Sequence, residues 1–131
     1  MSHQKLGLCV IGCGKFAAQF SQSIQPLLSD MNLFFASRNV CKSREYARRF
    51  NGTESFASYE AAAQNVNVHA LYICTPHYLH VDHVSLAINN GKHVLIEKPI
   101  ATTIEGAETI ISMANRSLTT LMVAENYRYL P

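Results

Sequence analysis

The sequence of 131 residues has no long apolar run and no strong bias of charge. Its N-terminus, Met-Ser-His-Gln-Lys, lacks the apolar stretch of a signal peptide, and no segment approaches the length of a membrane span. The 11 basic and 9 acidic residues give a formal charge of +2, which is too small a bias to indicate nucleic-acid or membrane-surface binding. We therefore expect a cytoplasmic protein with neither nucleic acid nor membrane as a partner.

Paired cysteine spacings, internal repeats, low-complexity tracts and linkers are also absent. Of the four cysteines, Cys9 and Cys74 fall inside apolar runs, where free cysteine behaves as a small hydrophobe. This use of cysteine indicates a reducing compartment. Apolar residues make up 48% of the chain and charged residues 15%, a globular balance, and the length suits one domain. We therefore predict a single globular domain over residues 1–131.

Short apolar runs alternate along the chain with longer segments of helical period. The runs predict a weak strand at 55–56 and strands over Leu6–Ile11, Leu33–Ala36, Ala70–Cys74, His93–Ile96 and Leu121–Ala124. Because strands that alternate with helices are joined by parallel crossovers, this order predicts an α/β fold with a doubly wound, mostly parallel sheet. The nearly continuous apolar strands agree, since helices would cover both faces of such a sheet.

Segments of helical period lie between these strands, and two of them have a capping residue in front. Ser58 and Thr103 precede the segments at 59–64 and 104–114, where their hydroxyls can accept a free backbone N–H. A further short helix is predicted over Arg44–Phe50, with Tyr46, Ala47 and Phe50 facing inward. The period predicts an inner face for the first helix made of Phe16, Phe20, Ile24 and Leu27. For the last helix it predicts an inner face made of Ile104, Ala107, Ile111 and Ala114.

A glycine-rich turn follows the first predicted strand and opens the first helix. It reads G-x-G-x-x-A. The first glycine permits the tight turn, and the second lets the backbone approach a pyrophosphate. The small third residue lets the helix and the strand pack closely. The free N–H groups of the helix would face the anion. The alternative is a plain strand-to-helix turn. The context favours a Rossmann-type dinucleotide site at Gly12, Gly14, Lys15, Phe16 and Ala17.

The second predicted strand ends in Ala36–Ser37–Arg38–Asn39, without a carboxylate. NAD-binding domains usually place Asp or Glu about 20 residues beyond the glycines, where it binds the ribose 2′-OH. A guanidinium and a hydroxyl suit a 2′-phosphate instead. We therefore expect Ser37 and Arg38 to favour NADP(H) over NAD(H). The alternatives are a solvated Arg38 in a protein that accepts NAD(H), and use of both cofactors.

Three motifs in this order resemble the glucose-fructose oxidoreductase/inositol dehydrogenase family, known as Gfo/Idh/MocA. The glycine turn is the first, and Glu125–Asn126–Tyr127–Arg128 is the third. The second and most specific runs from Cys74–Thr75–Pro76–His77–Tyr78–Leu79–His80 through Gly91–Lys92–His93–Val94 to Glu97–Lys98–Pro99. The resemblance extends over essentially the whole chain. It implies the nicotinamide-dinucleotide-binding domain of an oxidoreductase that acts on a sugar- or polyol-like alcohol.

The resemblance also implies a set of cofactor-binding residues. Thr75 and Pro76 would lie over the cofactor at the end of a strand, with His77 at a position where the family more often has Asn. We expect His80 to pack or hydrogen-bond near the same loop. Asn126 completes the predicted set.

The Glu-Lys-Pro motif carries the implied chemistry. In the family, its lysine lies beside the nicotinamide and the reacting hydroxyl, so Lys98 would position the alcohol or help to deprotonate it. Glu97 would help to orient the cofactor. The alternative is an exposed strand-end lysine that forms an ion pair with Glu97.

The histidines near this region allow an alternative interpretation, in which they form a zinc site. His77, His80 and His83 could be grouped with Cys74 and Asp82. On a helix, however, Asp82 points away from the two histidines that flank it, and catalytic zinc needs three convergent ligands. We therefore expect no metal site. We also expect no role for His83, His69 or His93 beyond solvated or satisfied positions.

Members of the resembled family continue past the position of Arg128 into a second α/β domain that supplies most substrate contacts. This chain stops at Leu130–Pro131, so we expect it to lack that domain. Two functions stay open. One is the cofactor-binding half of an oxidoreductase, whose alcohol substrate binds only with a second domain or subunit. The other is a standalone dinucleotide-binding module without turnover. The intact Glu97–Lys98–Pro99 favours the first, and the missing domain favours the second.

Overall fold

The computed structural model describes residues 3–125, which form an α/β fold around one sheet. Its strands are β1 (Leu6–Ile11), β2 (Met31–Ala36), β3 (Glu54–Phe56), β4 (Ala70–Ile73), β5 (His93–Glu97) and β6 (Leu121–Ala124). All neighbouring strands pair in parallel, in the order β3-β2-β1-β4-β5-β6. The doubly wound parallel sheet that the sequence predicts is thereby confirmed.

The connections between strands are helical. They are α1 (Lys15–Ser23), α2 (Val40–Arg49), α3 (Tyr59–Gln64), α4 (His80–Asn89) and α5 (Ile104–Arg116), with 3₁₀ turns at Gln25–Leu27 and His77–Leu79. The strand order reverses between β1 and β4, and a crevice opens at the carboxyl ends of strands at such a switch point. No helix within residues 3–125 is long and apolar enough to cross a lipid bilayer.

Each face of the sheet buries its own apolar cluster. On one face, Val10 and Phe35 pack with Tyr46 of α2 and with Phe50, which follows that helix. On the other, the alternate residues of the same strands pack against α3, α4 and α5 through side chains that include Cys9, Phe34, Val84, Ala87 and Ile110. Full burial of one large apolar side chain contributes roughly 1.5–3 kcal/mol. The two clusters therefore hold the carboxyl ends of the strands in fixed positions.

Capping side chains set the starts of three helices. Ser58 accepts the N–H of Ala61 at 3.0 Å, and Thr103 accepts that of Gly106 at 3.0 Å, which confirms both predicted caps. Asn39 accepts the N–H groups of Cys41 and Lys42. Because of this cap, α2 begins at Val40, four residues before the predicted start at Arg44.

The predicted inner faces of the first and last helices are partly wrong. In α1 the buried side chains are Ala17 and Ser21, whereas Phe16 is 65% exposed. The small pair allows the helix to lie close to the sheet, and Phe16 projects from its first turn. Leu27, also predicted to face inward, lies in the 3₁₀ turn and is exposed.

In α5 the residue that enters the core is Ile110, which is fully buried. Ile104 and Ile111 are exposed, contrary to the prediction. The spacing of one helical face is met by Ala107, Ile110 and Ala114. The apolar face that α5 turns to the sheet is therefore rotated from the predicted face.

Candidate functional site

A cleft lies at the carboxyl ends of β1, β2 and β4, at the point where the strand order reverses. It is lined by Gly12, Cys13, Gly14, Ser37, Arg38, Asn39, Lys42, Tyr59, Cys74, Thr75, Pro76 and His77. Seven of the fourteen residues predicted to bind the cofactor are therefore brought together here, although up to 65 positions separate them in the sequence.

The two glycines of the turn meet different physical demands. Gly12 has φ +90°, and a Cβ there would lie 2.9 Å from the backbone of Cys74, so both conformation and packing require glycine. Gly14 has φ −109°, and a Cβ there would meet no atom within 4 Å. The space beside Gly14 is thus open to a ligand, as the pyrophosphate of a dinucleotide requires.

The N-terminus of α1 faces the same space without a capping side chain. Gly14 is its N-cap residue, and its first turn contains no acidic residue. By contrast, Asn39, Ser58 and Thr103 cap α2, α3 and α5. The first N–H groups of α1 and its positive dipole end are therefore available to an anion.

A tyrosine from the next helix supports the glycine turn. The hydroxyl of Tyr46 donates to the carbonyl oxygen of Gly14 at 3.0 Å, and the N–H of Gly12 donates to the carbonyl oxygen of Ala36 at 3.0 Å. Both bonds connect the turn to the β2–α2 region. Sequence reasoning placed Tyr46 only in the core, because nothing local to it indicates a partner that is 32 positions away.

Two cations lie at the end of β2. Arg38 is exposed, and Lys42 is also exposed on the first turns of α2, four residues further on. Ser37 is buried, and its hydroxyl oxygen accepts the N–H of Asn39 at 3.1 Å. No carboxylate lines the described cleft. Sequence reasoning missed Lys42 because the predicted helix began after it.

The thiol in the glycine turn is sheltered. Cys13 is 6% exposed, and burial raises the pKa of its thiol to about 11, against a lowering effect from the charge of Lys42. The protonated thiol is therefore the form present at neutral pH. Cys13 fills space beneath the turn rather than acting as a nucleophile.

Two histidines of α4 hold Thr75 from behind the cleft. The Nε2 of His80 lies 3.1 Å from the carbonyl oxygen of Thr75, and the Nδ1 of His83 lies 2.6 Å from the Thr75 hydroxyl. Both rings are buried, and burial is the main cause that lowers the pKa of each. The expected hydrogen bonding of His80 near this loop is confirmed. His83 occupies a satisfied position, as expected, and the structure identifies its partner as Thr75.

The Glu-Lys-Pro motif lies at the end of β5, beside the main cleft. Glu97 is half-buried and accepts a hydrogen bond from the hydroxyl of Tyr72, whose pKa is raised chiefly by burial. Lys98 is exposed and is followed by a cis peptide bond to Pro99. Glu97 lines a second, adjacent cleft on the α1 face of the sheet, together with Phe16 and Tyr72.

Other predicted residues occupy varied positions. Lys15 is exposed on the first turn of α1, and Ala17 is buried beneath that turn. Asn126 lies outside the described residues. Within residues 3–125, no three His, Cys, Asp or Glu side chains are grouped so as to hold a metal ion.

Comparison with known proteins gives one family. The family model GFO_IDH_MocA, described as an oxidoreductase family with an NAD-binding Rossmann fold, matches residues 6–125. The scyllo-inositol 2-dehydrogenase (NADP(+)) IolU of Bacillus subtilis is 30% identical over 122 residues, which cover 93% of this chain and 37% of that protein.

Solved structures with the same fold include dinucleotide complexes. Levoglucosan dehydrogenase in complex with NADH and levoglucosan has a TM-score of 0.84 and 27% identity, over 95% of this chain and 36% of that one. KijD10, a 3-ketoreductase from Actinomadura kijaniata in complex with NADP and TDP-benzene, has a TM-score of 0.80 and 31% identity, over 92% and 37%. The chain thus spans between 36% and 37% of the length of these relatives.

Proposed function

This chain belongs to the Gfo/Idh/MocA family of oxidoreductases as an NAD(P)-binding Rossmann domain, and we propose that its cleft binds NADP(H) in preference to NAD(H). The observation that carries the proposal is the pair of cations, Arg38 and Lys42, at the end of β2 in a cleft that no described carboxylate lines. Relatives in complex with NADH and with NADP have both been solved. The choice of cofactor therefore depends on this chain's own residues.

The pyrophosphate is proposed to lie against Gly14 and the N-terminus of α1. The open space beside Gly14 and the uncapped first turn of α1 fit an anionic group that contacts the backbone closely. Gly12 shapes the turn, and Tyr46 supports it through the Gly14 carbonyl.

The 2′-phosphate is proposed to lie between Arg38 and Lys42. A guanidinium can grip a phosphate with two parallel hydrogen bonds, and an ammonium adds a second positive charge. Both side chains are exposed, so their charges stay solvated until the ligand arrives. A carboxylate, which would repel the phosphate, is absent from the described lining.

When bound, the nicotinamide supplies or accepts the hydride. We propose that Lys98, at the end of β5, positions the hydroxyl of the substrate and helps to move its proton. Thr75, Pro76 and His77 would form the side of the cofactor site that faces the β4 end. Glu97, held by Tyr72, would fix the backbone from which Lys98 projects.

We propose a sugar- or polyol-like alcohol as the substrate class of the complete enzyme, with a second domain or subunit completing the pocket. The compounds named for two relatives support the class, since scyllo-inositol and levoglucosan are both of this kind. The exposure of Lys98 supports a pocket that another structural unit closes.

A comparative titration of the chain with NADPH and NADH tests the cofactor proposal. We expect Arg38→Ala to weaken NADPH binding by roughly 1.5–3 kcal/mol, the range of hydrogen bonds to charged groups, and to change NADH binding little. Lys42→Ala should act in the same direction with a smaller effect. Lys5→Ala, at an exposed lysine that donates to the carbonyl of Leu28, serves as the matched control. Equal losses for the two cofactors on mutation of Arg38 would contradict the assignment.

A further inference from the structure

His80 joins two turns that are far apart in the sequence. It is the first residue of α4, and its side chain is fully buried. Its Nε2 lies 3.1 Å from the carbonyl oxygen of Thr75, in the turn after β4, and its Nδ1 lies 3.2 Å from the carbonyl oxygen of Ile100, in the turn after β5. One imidazole ring thus connects the turn that lines the cleft with the turn that begins at Lys98.

The number of donors on the ring decides how many of these bonds can form. A carbonyl oxygen only accepts, and a neutral imidazole has one N–H and one lone pair. A neutral His80 can therefore donate a hydrogen bond to the carbonyl oxygen of either Thr75 or Ile100. Its other nitrogen then carries no proton and cannot bond the second carbonyl oxygen that it faces. Only the imidazolium, with two N–H groups, satisfies both contacts at once.

Opposing influences act on the protonation of His80. Burial lowers its pKa, the carbonyl contacts raise it, and the neighbouring His77, whose ring centroid is 5.4 Å away, lowers it. The charge of His83, on the same helix, also interacts with that of His80, and Asp82, Glu60 and Arg38 act in turn on His83. Burial favours the neutral ring, whereas the two carbonyl contacts favour the imidazolium. The protonation state of His80 therefore decides whether the ring holds one turn or both.

The second histidine limits what Thr75 can do when His80 changes. His83 lies at 2.6 Å from the Thr75 hydroxyl, and its ring packs edge-on to Tyr59 at 4.9 Å between centroids. Thr75 is therefore held at its hydroxyl independently of His80. The contact that remains free to open is the one between α4 and the Lys98–Ile100 turn.

We propose that His80 is a positioning residue, which as an imidazolium locks the Thr75–Pro76 turn to the Lys98–Pro99–Ile100 turn and as a neutral ring releases one of them. The inference rests on the proposed function in one respect, since that function assigns the Thr75–Pro76 turn to the cofactor and Lys98 to the reacting hydroxyl. It adds a regulation of that site by pH. Dinucleotide affinity falls as the pH rises through the titration of His80.

The first test needs no dinucleotide. Long-range ¹H–¹⁵N spectra of the labelled chain distinguish imidazolium from the two neutral tautomers, and carbonyl ¹³C shifts report on Thr75 and Ile100 across the same pH series. We expect His80 and both carbonyls to titrate with one midpoint. A ring that stays neutral wherever the chain is folded would overturn the proposal, as would a carbonyl of Ile100 that does not follow the ring.

The second test measures NADPH affinity against pH for the unchanged chain, His80→Phe and the control His93→Phe. His93 is an exposed histidine at the amino end of β5, away from the cleft at the carboxyl ends of the strands, and its ring accepts the N–H of Thr120. We expect a roughly three- to tenfold loss of affinity for the unchanged chain between the protonated and neutral states, equivalent to about one hydrogen bond. The control should keep this dependence, and His80→Phe should lose it.

Affinities are compared as ratios between variants at each pH, because the 2′-phosphate itself titrates near pH 6. A pH dependence that persists in His80→Phe overturns the inference. If the unchanged chain binds neither NADPH nor NADH at any pH, the proposed function fails, while the first test still decides whether His80 joins the two turns.

Discussion

Gly12 and Gly14 stand two residues apart in one turn, and their surroundings differ. Gly12 has a positive φ and lies against the backbone of Cys74, so a side chain there conflicts with the fold. Gly14 has an ordinary extended φ and open space in front of it. The fold therefore depends on Gly12, and the proposed pyrophosphate site depends on Gly14.

This difference predicts opposite outcomes for two identical substitutions. Gly12→Ala should lower the free energy of unfolding by at least about 1–3 kcal/mol, the usual cost of a strained backbone region. Gly14→Ala should cost no more than about 1 kcal/mol, since Ala is only a poorer N-cap than Gly. It should nevertheless weaken NADPH binding by roughly tenfold or more, because its methyl group occupies the pyrophosphate space. Urea denaturation and calorimetric titration measure the two effects. Unchanged binding by Gly14→Ala would refute the phosphate assignment.

Lys98 is the residue on which the proposed chemistry depends. In a preparation with turnover, Lys98→Ala should lower kcat by roughly 10²–10⁴, the usual contribution of a positioned acid–base group, and leave the Kd for NADPH almost unchanged. Steady-state kinetics together with equilibrium titration separate the two quantities. The control is Lys92→Ala, since Lys92 donates to the carbonyl oxygens of Asn65 and Val68, away from the cleft. A loss of cofactor affinity equal to the loss in kcat would assign Lys98 to binding alone.

At the scale of elements, α5 shows how a sheet selects one face of a helix. The sequence offers overlapping apolar stripes, because Ala107 and Ala114 can be grouped with Ile104 and Ile111 or with Ile110. The structure buries Ile110 and leaves the other two isoleucines exposed. The helical period cannot separate these choices, since adjacent isoleucines differ in direction by about 100° and the broad apolar stripe of a surface helix includes either.

Two neighbouring substitutions test this register. Ile110→Ala should destabilise the fold by roughly 2–5 kcal/mol, because it removes buried methylene and methyl groups and leaves a cavity. Ile111→Ala should change the stability by no more than about 0.5 kcal/mol, as surface substitutions usually do. Thermal and urea denaturation of the two variants give the comparison. Similar losses for both would show that the inner face of α5 is assigned incorrectly.

At the scale of the whole molecule, the proposed ligand spans elements from both halves of the sheet. The cleft combines the β1, β2 and β4 ends, and the switch point between β1 and β4 brings them together. A ligand bound there stabilises the folded chain through every one of these elements.

Dinucleotide should therefore raise the stability of the chain as a unit. NADPH at 100 times its Kd should raise the free energy of unfolding by about 2.7 kcal/mol, and NADH at the same concentration should raise it less. Thermal denaturation at several NADPH concentrations measures the gain. The Gly14→Ala variant is the control, because it is expected to fold and to bind weakly. A stability that does not depend on NADPH would contradict the binding site.

The sequence by itself determined the fold class, the order of strands and helices, and the family. Apolar runs, caps such as Ser58 and Thr103, and motifs such as Gly12–Gly14 and Glu97–Lys98–Pro99 are local signals, and local signals can be read along the chain. The structure and the family match confirm these predictions.

Only the tertiary structure decided which residues meet. It placed Lys42 beside Arg38, attached Tyr46 to the Gly14 carbonyl, and set His80 between Thr75 and Ile100. It also turned Phe16 outward and Ile110 inward. These outcomes depend on how helices rotate against the sheet and on which loop ends adjoin at the switch point. The contacts that fix them join residues up to 32 positions apart, beyond the range of any local pattern.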